Sequence, residues 1–153
     1  LIQYTQTLTF IQRETIFRLW NEGYPAVIAY TSTNQLDAYL DGLSDKAHYF
    51  LMNHNQIVGW ACTFMRETEK WFAIIVDKSF QGKGAGSYLL NHMQEQETVL
   101  NGWVIENDVL TKPDGSAYNS PMSFYLKNGF RILNHIRLDT PQFTAVRIQW
   151  TQA

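Results

Sequence analysis

Cysteine is almost missing from this chain: Cys62 is the only one in 153 residues. An internal disulfide is therefore excluded. No metal-ligand spacing surrounds Cys62, and its place inside the apolar stretch Val58 to Phe64 predicts a buried core thiol. Runs of basic residues are missing too. Twelve Lys and Arg against 14 Asp and Glu give a net charge of −2, so neither a nucleic acid nor a membrane surface has electrostatic support as a partner. No signal-peptide pattern and no apolar run of membrane-spanning length occurs, which makes a soluble, cytoplasmic protein the expectation. Repeats and low-complexity linkers are also lacking, and residues 1–153 read as one domain. What is present is a core: 45% of residues are apolar, five of them Trp, which excludes a disordered or fibrous chain.

Periodicity places the elements. Residues 2–9 alternate and predict a first strand, and Phe10, Ile11, Ile16, Phe17, Leu19 and Trp20 form the apolar stripe of a helix that exits at Asn21, Gly23 and Pro25. Leu36, Tyr39, Leu40 and Leu43 predict a second helix from Thr33, with Thr33 as its cap. A hairpin follows, His48 to Asn53 and Gln56 to Arg66 around His54-Asn55, and a turn over 67–70 leads into the apolar strand Trp71 to Val76. After a glycine-rich turn, Tyr88, Leu89, Leu90 and Met93 have helical spacing, and Gly102 to Glu106 is a short strand parallel to Trp71–Val76. The segment Asn107 to Asn119 carries a Pro-Asp-Gly turn signal and is long for a loop. Ser120-Pro121 reads as a cap with Pro at the first helical position, opening a helix through Lys127, and two last strands, Phe130 to Asp139 and Thr144 to Trp150, are joined around Pro141.

The glycine-rich turn carries the first chemical signal. Gln81 to Gly86 places three glycines in six residues between a buried strand and a helix. Glycine tolerates positive φ and lets backbone N–H groups converge at a helix N-terminus, where the dipole favours phosphate oxygens. A Walker loop needs Lys and Ser or Thr after its last glycine, and Gly86 is followed by Ser87 and Tyr88. A dinucleotide fingerprint needs G-x-G-x-x-G, whereas these glycines stand at Gly82, Gly84 and Gly86. What remains is Q-x-x-G-x-G, formed by Gln81, Gly84 and Gly86, and an ordinary strand-to-helix turn stays open on these residues alone.

A second motif, F-Y-L-K-N-G-F at Phe124 to Phe130, carries Tyr125, Lys127, Gly129 and Phe130 in the order Tyr-x-Lys-x-Gly-Phe. With the Q-x-x-G-x-G loop before it and the strand I-V-G-W-A upstream, the chain resembles the GNAT superfamily of N-acetyltransferases over its whole length. The resemblance implies an α/β fold, a mixed α+β sheet of seven mostly antiparallel strands with about four helices, splayed between the fourth and fifth strands. It implies acetyl-CoA as cosubstrate, with no metal. Val76 would hold the pantetheine and acetyl carbonyl through backbone groups, and Gln81, Gly82, Lys83, Gly84, Ala85, Gly86 and Ser87 would cradle the pyrophosphate. Acetyl transfer would be direct attack of an amine through a tetrahedral intermediate, which needs no Cys–His or Ser–His pair.

Two proton transfers then need residues. Tyr125 matches the family's tyrosine and is expected to protonate the leaving thiolate and to touch the cofactor. Lys70 stands where some members place a catalytic glutamate on the strand, which puts a water-relayed route in play; Glu106 is the first carboxylate to consider as base, with His48, Glu69 and Asp108 behind it. Many members carry an asparagine seven residues before the tyrosine and contacting the cofactor, whereas Asn119 lies six before Tyr125. The segment 107–119 is longer than the family's usual connection and reads as acceptor wall or lid. Trp20, Tyr24, Tyr30, Tyr39 and Trp71 lie in regions expected to form the pocket. A small-molecule amine is the first acceptor expected, a protein or peptide amine the second, and a silent acyl-CoA sensor the reading of another class. The terminal strands have edges that suit pairing with a second copy as a homodimer.

Overall fold

The computed structural model describes residues 1–106 and 109–153. Its elements follow the order βααβββαβαββ, with two single-turn 3-10 helices at Ala26–Ile28 and Lys78–Phe80. The strands are β1 (Ile2–Thr5), β2 (Ser44–Asn53), β3 (Gln56–Arg66), β4 (Glu69–Val76), β5 (Val99–Ile105), β6 (Arg131–Asp139) and β7 (Thr144–Thr151). The helices are α1 (Phe10–Gly23), α2 (Thr33–Asp41), α3 (Ala85–Gln96) and α4 (Met122–Lys127). The seven strands form one sheet in the order β1-β2-β3-β4-β5-β7-β6, antiparallel throughout except where β4 meets β5.

Both faces of the sheet centre are covered, so β3 and β4 read as nearly continuous apolar runs rather than as alternating ones. On one face Ile16, Leu19 and Trp20 of α1 and Leu36 and Leu40 of α2 pack on Phe50, Trp60, Cys62, Phe64, Trp71 and Ile75. On the other, Leu89, Leu90 and Met93 of α3 and Tyr125 of α4 pack on Tyr49, Ala61, Phe72, Ile74, Leu100 and Val104. Cys62 is a buried free thiol in the first of these cores, as its apolar setting predicts.

Several local expectations shift: β2 begins at Ser44 rather than His48, and β5 runs over Val99–Ile105 rather than from Gly102. The first strand stops at Thr5, because Thr9 is taken by a capping box: its hydroxyl accepts from Gln12 N at 3.1 Å and Gln12 Oε1 accepts from Thr9 N at 2.9 Å. Ser32, not Thr33, holds the N-cap position of α2, and no side chain caps it. At α4 the cap moves one residue on: Pro121 has φ −83° and ψ 20°, outside the helix, so the helix begins at Met122.

The connection between β4 and β5 positions the site. They pair in parallel at Trp71↔Asn101 alone, and their remaining lengths part toward Val76 and Ile105. A V thus opens in mid-sheet, closed at the Trp71 end and open at the glycine turn.

Candidate active site

A cleft of about 460 Å³ occupies the open end of this V. One wall runs through Ile74, Ile75 and Val76 of β4, the turn residues Gln81, Gly82 and Gly84, and Gly86 and Ser87 of α3. Asn119, Pro121, Phe124, Tyr125 and Lys127 continue it across α4, while Gly23, Tyr24, Lys112 and Tyr118 close the opposite side.

Backbone direction at Val76 follows from its pairing. Asp77 N donates to Val58 O at 2.8 Å, which makes Gly59↔Val76 a pair that exchanges no hydrogen bonds. The Val76 N–H and C=O therefore point away from β3, into the gap left by β5. Gln81 folds back on this point, its side-chain amide donating to Val76 O at 3.0 Å. The motif glutamine thus fixes the strand end while the glycines shape the turn.

Gly82 and Gly84 both lie in the left-handed region, at φ 75° and 83°, and Gly84 is the N-cap of α3. No side chain caps this helix, in contrast to the capping box of α1. Its first intrahelical bond is Tyr88 N to Gly84 O, so the first-turn N–H groups of α3 have no helical acceptor of their own. A Cβ built at Gly82 or Gly84 would meet nothing within 4 Å, leaving the backbone open to close approach. Gly86 is glycine for another reason. A Cβ there would lie 3.1 Å from the Phe124 ring, so this residue permits α3 and α4 to touch beside the cleft. Ser87 ties the same two helices, accepting from Asn128 Nδ2 at 3.2 Å. An anion with several oxygens, followed by a thin chain, fits this arrangement: open glycine backbone at a helix N-terminus, leading to a slot between strands.

Tyr125 is buried, with its ring among Phe72, Phe124 and Phe130 at centroid distances of 5.2–5.7 Å. Burial, with Tyr118 nearby, pushes its phenol well above the ordinary tyrosine value, so it stays protonated at any working pH. Burial pushes Tyr118 up to about 12 and raises Tyr24 well above the ordinary tyrosine value, with Tyr125 the next largest influence on Tyr24. Three protonated phenols therefore line one cleft.

The remaining predicted residues are scattered. Ala85 starts α3 beside Gly84, and Lys83 is exposed, its ammonium 5.8 Å from the Phe80 ring centroid and outside the cleft lining. Asn119 does line the cleft despite its shifted spacing. Glu106 does not, and its carboxylate is bonded by Arg137. His48 is fully buried beneath α1 and α2, where Trp60 Nε1 donates to its Nδ1 at 3.1 Å; burial, with Lys46 and Arg13 adding to it, lowers its pKa to about 4. Glu69 belongs to a polar cluster at the closed end of the V. Asp108 lies outside the described residues.

Of the five aromatic residues expected at the pocket, Tyr24 reaches it. Trp20, Tyr30 and Tyr39 stack behind it, with Trp20–Tyr24 centroids 4.6 Å apart, and Trp71 sits at the closed end. Lys112 and Tyr118, from the segment expected as acceptor wall or lid but not singled out in it, also line the cleft. They come from a small hairpin built on the Pro113-Asp114-Gly115 tip, with a bridge Thr111↔Ala117 and Gly115 at φ 87°. Ala26 N donates to Thr111 O at 2.8 Å, fastening this hairpin to the α1–α2 connection as a wall. The Pro-Asp-Gly signal located the turn, but nothing in the sequence says against what it packs.

A family model described as an acetyltransferase (GNAT) domain matches residues 45–132, more than half of the chain. The chain belongs to the GNAT acetyltransferase family and is an acyltransferase. Solved structures share the fold at low identity. An aminoglycoside 6'-N-acetyltransferase complexed with coenzyme A superposes with a TM-score of 0.73 at 12% identity, covering 99% of this chain and 96% of that one. The aminoglycoside 6'-N-acetyltransferase from Enterococcus faecium gives 0.71 at 12%, covering 99% and 96%. The ribosomal-protein-alanine N-acetyltransferase from Brucella melitensis gives 0.69 at 14%, covering 99% of both chains. A search of curated protein sequences gives no match. Among the described residues, no helix is long and apolar enough to cross a membrane.

Proposed function

We propose that residues 1–153 act as one cytoplasmic N-acetyltransferase unit that moves the acetyl group of acetyl-CoA to a primary amine of a small molecule. The observation that carries this reading is the V between β4 and β5, which opens directly onto the uncapped glycine N-terminus of α3. Gln81 to Ser87 hold the pyrophosphate through main-chain N–H groups, and the pantetheine lies along Ile74 to Val76 in the gap. Asn119 and Lys127 flank the cosubstrate on the α4 side.

The amine nitrogen attacks the thioester carbonyl carbon; a C–N bond forms, the C–S bond breaks, sulfur leaves as thiolate and nitrogen gives up a proton. The Val76 N–H faces the gap and stabilises charge developing on the carbonyl oxygen. Tyr125, held protonated by burial, donates to the departing sulfur. Lys70 is paired with Glu97 at 3.4 Å and Glu106 is engaged by Arg137, so the amine proton leaves through water rather than directly to either position.

Tyr24, Lys112 and Tyr118 form the acceptor side. The tie between Thr111 and Ala26 narrows that side, which favours a compact amine over a polypeptide. Protein acetylation is the second reading, kept by structural neighbours that carry it in their names. Calorimetric titration with coenzyme A and desulfo-CoA, then thiol release from acetyl-CoA across small amines and peptide N-termini, tests both. Binding with release for a small amine is expected. Release for peptides alone would move the acceptor class, and binding without release would mark a silent sensor. Absence of binding would overturn the reading. Gel filtration of the same sample tests the homodimer that the exposed edge strand β6 suits.

A further inference from the structure

At the closed end of the V, where β4 and β5 pair, one side chain reaches both neighbouring strands. Asn101, on β5, is fully buried, yet its amide makes bonds on both sides of its strand. Toward β4, Nδ2 donates to Lys70 O at 3.0 Å and to Glu69 Oε2 at 3.1 Å. Toward β7, Oδ1 accepts from Arg147 Nη2 at 2.7 Å, Arg147 Nε at 3.1 Å and Gln149 Nε2 at 3.0 Å. Arg147 closes the circuit by donating to Glu69 Oε2 at 3.0 Å, and its guanidinium lies 5.0 Å from the Trp71 ring centroid. Buried amides keep such a place only when their donors and acceptors are satisfied, and here both ends are.

The position of this cluster gives it a consequence. Asn101 is the residue at which β4 and β5 pair, next to Trp71, and beyond it the strands separate. The backbone carbonyl of Lys70 immediately precedes that pair and is held by the Asn101 side chain. Strands that part lose ladder bonds, so the angle at which they part depends on what pins the last paired position. We propose that Asn101 is a positioning residue for the cosubstrate: its amide pins β4 to β5 at the apex of the V and thereby fixes the width of the gap at Ile74 to Val76, where the pantetheine lies. The inference rests on the proposed function for the identity of the ligand, and deepens it by naming what sets the slot.

Asn101→Leu removes both the donor and the acceptor at nearly constant volume. It is expected to raise the Kd for coenzyme A about tenfold, the equivalent of one or two buried groups left unpaired. In thiol release, KM for acetyl-CoA rises in parallel while kcat at saturation changes little. Two controls separate positioning from simple loss of stability. Leu40→Ala opens a cavity in the core beneath α2, on elements away from the gap, and is expected to lower the melting temperature while keeping Kd within about twofold of wild type. Arg147→Met loosens the β7 side and leaves the Asn101–Lys70 link, so it too should keep Kd. If Asn101→Leu does not fold, Asn101→Ser, too short to reach Lys70 O, makes the same comparison. A wild-type Kd in the Asn101 variants, or an equal loss of affinity in Leu40→Ala at matched stability, would overturn the inference. Failure of the wild-type protein itself to bind coenzyme A would instead overturn the proposed function.

Discussion

The wall of the cleft from Val76 to Ser87 is one unbroken piece of chain, whereas the wall facing it is assembled from the end of α1 and a hairpin far along the sequence. The first wall works through backbone: a strand end turned into the gap, two left-handed glycines, a helix without a cap. The second works through side chains, Tyr24, Lys112 and Tyr118, whose meeting depends on the Ala26–Thr111 hydrogen bond. Substitutions in the first wall should therefore change cosubstrate binding, and substitutions in the second should change the response to the amine alone. Tyr125 stands between the two and should change neither affinity but the chemical step.

The largest effect expected is at Tyr125. Tyr125→Phe keeps the ring among Phe72, Phe124 and Phe130 and removes only the hydroxyl proposed as proton donor, so kcat should fall about 100-fold while the Kd for coenzyme A holds. The pH dependence has a definite sign. A phenol whose pKa is raised loses its proton only above the ordinary tyrosine range, so kcat of the wild-type enzyme should show no fall from Tyr125 as pH rises to about 10. An alkaline fall near pH 9 that vanishes in Tyr125→Phe would mean that the phenol is not so raised.

Next comes the backbone wall. Gly84→Ala forces an L residue to φ 83°, a strain of about 1–2 kcal/mol, with no contact to relieve or worsen it. The added methyl points into the space where an anion would approach, so the Kd for coenzyme A should rise about tenfold with the amine KM unchanged. Tyr24→Phe is the matching change in the other wall. It keeps the packing on Trp20 and deletes one hydroxyl, and the amine KM should rise about threefold to tenfold with coenzyme A affinity intact. If both variants moved both constants, the two walls would not be separable.

The same contrast accounts for what could be read in the sequence. Glycine turns, strand runs and the Tyr-x-Lys-x-Gly-Phe helix are local signals: they placed α4 to within a residue, the start of α3 to within two and the start of β5 to within three, with the parallel β4–β5 connection in its right order. Gln81 was read as part of the main-chain phosphate cradle; its side-chain amide also fastens Val76 O, a bond that requires the turn to be folded. Gly86 was grouped with the other glycines by spacing, but the Phe124 ring explains it. Lys112 and Tyr118 lay within the segment read as acceptor wall or lid but were not singled out, and Asn101 left no signal, because their roles come from a hairpin docking on a helix connection and from strand order, β7 inserted between β5 and β6. Periodicity reports which face is apolar and cannot report which strand lies alongside.

The smallest effect expected is at Glu106, and it sharpens the comparison by testing whether either wall needs a carboxylate. Arg137 occupies the carboxylate oxygen a base would use, and Glu106 stands off the cleft lining. Glu106→Gln leaves Arg137, itself partly exposed, to water. If the amine proton departs through water, kcat/KM should stay within about threefold of wild type from pH 6 to 9, since no general-base contribution of about 100-fold is being removed. A loss of that size, together with disappearance of the acidic limb of the profile, would place the base at Glu106. The acceptor wall would then include the end of β5, and Arg137 would have to swing away from the carboxylate when the amine binds.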